Sequence, residues 1–588
     1  MLTIFTPAEE RSKREAHQRE LFDSLWCEPI PVQRIRALLE EEPHLARHTD
    51  VDDQIPLHVA CARGNKAPLY LIQTLVEAWP AGVRAVTSEM DTPLHLACTR
   101  QAPFVILNYL VEQDPKALLM HNRRNERPLH LLVRGAGTSA LQSVQMMVEK
   151  GPKALSTKNR ARDTPLHVAC SRRQLCVKLI RTLLAAYPEA AAIPNNRGDL
   201  PLHCVAMGGT QQGLSAVWEL LVKAYPEAVY ATNTYGQTPV HIAATQTHHP
   251  LTDAAAMYTL WQSHPAVLLM ADKHGNTPLH VACQTGASSE IIRLLALAAP
   301  KALYQRNQAG DTPVHVLCKE ANSTHANAVE SCVVTLEPAT LTNNGASSTL
   351  SLGATSIMSR WSQAPMNANV ERILALVQVS TRVLRKANKR GQLPLHAALQ
   401  AEKPSIPLLR YLVDEYPEAL RRADKDGLLP IHVACCQPKV SYTAIQLLVN
   451  AWTMTSTRDD EEEEGDTSSS SSSHKAAHNS QSAADKATPT MRSYAPRGHR
   501  HGNSGRRRSV SIGESHGLLE TTNEGNTPLH LACRYNLDFD VIQFLVHHGP
   551  AATYIPNEEG RTPLDYAQKY GTSKEMRAWV KRVGSART

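Results

Sequence analysis

The stretch Asn276-Thr-Pro-Leu-His-Val-Ala-Cys283 sets His280 and Cys283 three residues apart. An imidazole nitrogen and a thiolate at that spacing could supply half of a tetrahedral zinc site. Cys61, Cys98, Cys170, Cys318, Cys435 and Cys533 stand in the same relation to an earlier histidine. A zinc site, however, needs about four converging ligands, each copy offers two, and neighbouring copies would lie about 10 Å apart. The motif also persists where the cysteine is absent, since Val133 follows His130 and Ala244 follows His241. No phosphate-cradling loop, nucleophile elbow or kinase motif set occurs. The expectation is therefore no metal, no cofactor, no catalytic residue and no enzymatic activity.

What the motif does carry is a repeat. Aligned on the histidine, copies occur at His58, His95, His130, His167, His203, His241, His280, His315, His396, His432 and His530, with Asp565 in the last. The intervals are 37, 35, 37, 36, 38, 39, 35, 81, 36, 98 and 35 residues, a unit near 36 with two interruptions. In ten copies a proline stands 15 residues before the motif position, from Pro43 ahead of His58 to Pro550 ahead of Asp565. The other half of the unit absorbs the changes in length.

Each unit has readable mechanics. Thr92, Thr164, Thr277 and Thr527 precede a proline suited to the first helical position, so their hydroxyls are expected to cap the helices that carry His95, His167, His280 and His530. Apolar runs such as IIRLLALAA form a second helix, ended by the proline and its restrained predecessor. Glycine stands five residues before the motif position from Gly198 onward, as a positive-φ turn requires. The expected unit is turn, helix, turn, helix. Such a unit cannot bury its apolar face alone, so copies must stack into a solenoid.

These residues, G-x-TPLH-x-A followed by a leucine-rich helix, resemble the ankyrin repeat family. The resemblance implies an all-α repeat solenoid of ankyrin-type helix-turn-helix units with β-turn or hairpin fingers. It implies a structural histidine bonded to turns and to the threonine, and a surface that binds other proteins. Tetratricopeptide arrays share the period but lack the TPLH start. Two departures stand out: proline where the family usually ends its second helix with glycine, and loss of the threonine at Ile55, Arg127, Leu200, Leu393 and Leu429. Each lost cap should forfeit about 1 kcal/mol, so those repeats are expected to fray first.

The expected organisation is a leader at 1–17, a capping repeat at 18–50, repeats at 51–320, a polar insertion at 321–368, repeats at 369–452, a second insertion at 453–515, and the last repeats with a C-terminal cap at 516–588. The first insertion reads as a tolerated loop, with a short peptide motif around Trp361 as the alternative. The second passes from an acidic run through six serines to RRRSVS and is expected to be disordered. Arginines 506–508 before Ser509 and Ser511 resemble a basophilic protein kinase substrate, where phosphate would add nearly two negative charges per site. A nuclear import signal is a further reading of that run.

Bulk properties fit a soluble protein: 588 residues, 42% hydrophobic, mean hydropathy −0.31 and a net charge of +7. That charge is too dilute to imply nucleic acid, and no apolar run is long enough to cross a membrane. The charged N-terminus lacks a secretory core, and the cysteines read as buried thiols of a reducing compartment, so a cytoplasmic location, or a nuclear one, is expected. Arg63, Arg100, Arg134, Arg172 and Arg534 stand four or five residues beyond the motif histidine. They are the candidate partner-binding ladder, facing an acidic segment. Asp91, Asp163 and Asp199, four before it, are the alternative partners of those arginines. The functional expectation is a non-catalytic scaffold or adaptor. The alternatives are a signalling regulator that masks a partner such as a transcription factor, and a membrane-skeleton anchor.

Overall fold

The computed structural model describes residues 7–135, 137, 140–208, 213–245, 261, 264–320, 368–401, 404–438, 440–463, 517–571 and 573–585. Every regular element among them is helical. Arg506, Ser509, Ser511, Trp361 and nearly all of both insertions lie outside the described residues.

The chain divides into two compact units, Met1–Lys389 and Arg390–Thr588. The first opens with the helices Pro7–Trp26 and Val32–Glu41, so the expected leader and cap share one helix across residue 17. Leu21, Leu25 and Ile35 are fully buried there, and Arg34 bonds Glu20 at 2.6 Å. Eight motif repeats follow, as in the pair Pro93–Thr99 and Phe104–Gln113, and Pro165–Cys170 with Val177–Ala186. The second unit holds four, from Pro394–Leu399 with Ile406–Glu415 to Pro563–Tyr570 with Lys574–Ser585.

Every motif proline is the first residue of its helix, as expected from its fixed φ and missing amide. The second helix ends as its residue before proline turns extended: Tyr187 (φ −149°, ψ 80°) still donates its N–H to Leu183 O at 3.0 Å. The proline then starts a further element absent from the expected unit, a 3₁₀ turn such as Pro115–Leu119 or Pro300–Tyr304. Its third and fourth residues, Ala117 and Leu118 or Ala302 and Leu303, are buried. The unit is thus helix, helix, 3₁₀ turn and finger.

The boundary expected at residue 452 is also moved. The helix Tyr442–Glu463 continues through Asp459 and Asp460, so the first part of the segment expected to be disordered is helical. No proline stands between Pro438 and Pro489 to end it, and glutamate is a good helix former.

Candidate interaction surface

The motif histidines are fully buried and committed at both ring nitrogens. His167 Nδ1 receives the backbone N–H of Thr164 at 3.2 Å, while Nε2 lies 3.1 Å from Asp199 O in the next repeat. A backbone N–H only donates and a carbonyl only accepts, so Nδ1 is bare and Nε2 carries the proton. His95 bonds Glu126 O, His130 bonds Asp163 O and His280 bonds Asp311 O in the same way, at 3.0–3.1 Å. Burial holds these rings neutral, pushing His58, His130, His280 and His432 down to about 4. Neither nitrogen has a lone pair to spare for a metal. Burial likewise pushes the Cys283 and Cys533 thiols up to about 12, so they are packing groups rather than nucleophiles.

This geometry revises the expected cap. Of the four threonines named for it, only Thr92 and Thr527 come near the third helical amide, at 3.4 and 3.5 Å. The consistent bond runs the other way, from the cap residue's amide to the histidine, and threonine hydroxyls add a bond to the same Nδ1, at 2.8 Å in Thr164, Thr277 and Thr527. Where leucine replaces threonine the amide bond stays, 3.0 Å from Leu200 to His203 and 3.2 Å from Leu393 to His396. Leu200 and Leu393 are themselves buried, which offsets part of the lost hydroxyl bond.

A second polar ladder lies eight residues before the histidine. Asn195 Oδ1 accepts the amides of Arg197 and Asp199 at 2.9 and 3.0 Å, closing its finger turn, while Nδ2 donates to Asp163 of the preceding repeat at 2.9 Å. Asn122 to Asp91, Asn233 to Asp199 and Asn557 to Asn526 repeat the link. Asp91, Asp163 and Asp199 therefore tie repeats together through asparagine. The recurring Asn or Asp at this offset was the sequence signal for it.

The arginine ladder is not one surface. Arg63 bonds Glu28 at 3.0 Å and lies over the Trp26 ring, held by the N-terminal cap. Arg134 pairs with buried Glu126 of its own repeat. Arg100 and Arg534 are exposed at the ends of their helices. Arg172 is half-buried, its guanidinium disfavoured in charged form by that burial. Arg134, Arg172 and Arg173 do share one open depression of about 540 Å³, with Asn159, Asp163 and Ser171. Further along the same repeats, the fingers display arginines outside the helix-end ladder: Arg123, Arg124, Arg160, Arg162 and Arg197 are all exposed.

Helix pairs stacked through buried histidines and finger turns define an α-helical repeat protein. A family model for ankyrin repeats in three copies matches residues 509–579, and a single ankyrin repeat model matches residues 274–304. The chain therefore carries ankyrin repeats over those residues. Among solved structures, the crystal structure of the ankyrin repeat domain of Bcl-3, titled a unique member of the IkappaB protein family, is 22% identical over 42% of this chain and 99% of that one, with a TM-score of 0.33. No curated protein matches the chain. Among the described residues no helix is long and apolar enough to cross a membrane, and no cluster of three or more His, Cys, Asp or Glu could hold a metal.

Proposed function

We propose that the protein is a non-catalytic scaffold or adaptor that binds partner proteins through the finger and first-helix face of its ankyrin repeats. The observation that supports this most is the division of labour within each repeat. The histidine, the cysteine and the asparagine face inward and hold the stack, whereas finger side chains differ from copy to copy and are exposed, as at Arg124, Ala161, Arg197 and Tyr235. Recurrent inward chemistry with variable outward chemistry suits recognition of other proteins. Arg100 and Arg534 remain partner-facing candidates, joined by Arg172 at the depression that it lines beside the Glu126-paired Arg134.

Regulation is proposed at the second insertion, where a basophilic kinase would phosphorylate Ser509 and Ser511 beside Arg506 and Arg507. The location proposed is cytoplasmic, with nuclear entry as the property that the same basic run would control. The decisive measurement is affinity capture of cellular partners by the full chain and by a chain lacking residues 453–515. Retained capture with altered partner choice is expected. A full chain that captures nothing above background while showing substrate turnover would sink the reading.

A further inference from the structure

Three consecutive fingers carry the arginines that the helix-end ladder does not explain. Residues 123–125 read Arg-Arg-Asn, 160–162 read Arg-Ala-Arg, and 196–198 read Asn-Arg-Gly. The fingers are joined in one row by backbone bonds, Arg160 N to Arg124 O at 2.9 Å and Asn196 N to Ala161 O at 3.0 Å. Side chains reinforce the row, as Asn125 donates to Lys158 O at 2.9 Å and Asn196 to Arg160 O at 3.0 Å. The arginines are thus displayed on a fixed scaffold rather than on free loops.

The carboxylates next to these fingers in sequence are spent inward. Glu126 is 3% exposed and takes Arg134, while Asp199 is 2% exposed and accepts from Asn233. Among the described residues no carboxylate lies within 4.0 Å of the Arg124, Arg160, Arg162 or Arg197 guanidinium, whereas Arg123 meets exposed Glu89 at 3.7 Å. Arg162 adds an independent sign of use. It holds a left-handed backbone at φ 60°, the position that glycine fills in eight other copies, a conformation costing a side-chain-bearing residue about 1–2 kcal/mol. Strain retained at an exposed, charged position points to a displayed side chain that something contacts.

We propose that the finger row Arg123, Arg124, Arg160, Arg162 and Arg197 docks a short acidic peptide segment of a partner protein. This rests on the protein-binding reading above and specifies its ligand chemistry. Repeats pack about 10 Å apart, so three fingers span about 20 Å, and an extended peptide covers that with six to eight residues at about 3.3 Å each. Guanidinium forks bind carboxylates bidentately. Nucleic acid fits less well on two counts: none of the nine finger residues is aromatic, so bases have no stacking platform, and the preceding fingers carry Asp52, Asp53 and Glu89, which repel a polyanion that runs on past the row. The same acidic fingers set where the peptide's charge must stop.

The test is fluorescence anisotropy with the full chain at about 0.1 M salt, where the Debye length is about 10 Å. The probes are a labelled peptide of about seven consecutive Asp and Glu residues and a labelled oligothymidylate of equal charge. The variant R124E/R160E/R162E/R197E should weaken peptide binding roughly tenfold or more, since four exposed pairs are removed and reversed. The control K178E/R181E/K223E/K301E changes the net charge equally at exposed sites off the fingers and should leave binding within about twofold. If the first variant fails to fold by circular dichroism, R160Q/R197Q replaces it, with a smaller loss in the same direction. Absence of peptide binding to the native chain, equal loss in variant and control, or tighter binding of the oligothymidylate would each overturn the proposal. Undiminished capture of cellular partners by the finger variant would also overturn it while leaving the scaffold reading intact.

Discussion

The first four motif repeats and those from His203 onward solve the same turn in different ways. At the position five before the histidine the later repeats place glycine, from Gly198 (φ 72°) to Gly560 (φ 73°), whereas the first four place Asp53, Met90, Asn125 and Arg162 at φ 57–60°. Aspartate and asparagine tolerate this conformation, and methionine and arginine do so less readily. The early fingers therefore exchange backbone ease for a displayed side chain, and four of the five arginines of the exposed basic row stand on them, with Arg197 on the first glycine-bearing finger. The later fingers instead use glycine's missing Cβ to let the next repeat approach: a Cβ on Gly275 would stand 2.7 Å from Gln308 N, and one on Gly427 would stand 2.6 Å from Asn523 N.

Acidification should give the largest effect, and it should strike both sets of repeats, because the histidine network is common to them. Folded His58 and His280 sit at about 4 against an ordinary value near 6.5, so the unfolded chain binds the extra protons. Stability is then complete above about pH 6.5 and falls as pH drops toward 4, by up to roughly 3 kcal/mol per such histidine. Hydrogen exchange between pH 7 and 4.5 should show protection falling in early and late repeats together. Loss confined to one set would mean that the network is not their shared anchor.

Glycine substitutions separate strain from crowding. Gly275→Ala and Gly427→Ala meet both a positive φ and a backbone atom, and each should cost about 2–3 kcal/mol. Gly560→Ala meets nothing within 4 Å and should cost only about 1 kcal/mol. Equal losses in thermal unfolding would show that φ alone sets the difference between the two sets of fingers.

The reverse exchange is smaller. Met90→Gly and Arg162→Gly should stabilise by up to about 1 kcal/mol, because relief of the left-handed strain is partly offset by glycine's greater unfolded-state entropy. Arg162→Gly should at the same time weaken acidic-peptide binding, whereas Met90→Gly should not. A destabilised Arg162→Gly protein would show that the arginine is kept for folding.

The smallest expected change tests the revised cap. Thr277→Val removes the 2.8 Å hydroxyl bond to His280 yet keeps the amide bond, and should cost about 1 kcal/mol. Uniform exchange protection in threonine-headed and leucine-headed repeats would then mean that burial of Leu200 and Leu393 makes up the difference in full.

Much of this architecture was legible in the chain. The helix starts at Pro93, Pro165 and Pro278, the glycine turns and the two interruptions all follow from local chemistry: a ring that fixes φ, a missing Cβ, a break in period. The inward role of the histidine was readable from the count, since copies such as His241 persist without a cysteine. The 3₁₀ turn after the proline was not, because a pair such as Ala117-Leu118 or Val267-Leu268 is apolar in any context and only the neighbouring repeat makes burial there worthwhile. The asparagine ladder was visible as a recurring residue, but its partner lies about 30 residues away and no local rule supplies that pairing.

By itself the sequence determined the unit, its length and its two helices, since caps, prolines and apolar spacing act within a few residues of themselves. Only the tertiary structure decided the direction of the cap bond and the fates of the arginines. Which nitrogen accepts depends on a carbonyl brought from the next repeat, and Arg63 and Arg134 were removed from the ladder by Glu28 and Glu126, whose reach is set by packing. The finger arginines were left outward because the carboxylates nearest to them in sequence had already turned inward to hold the stack.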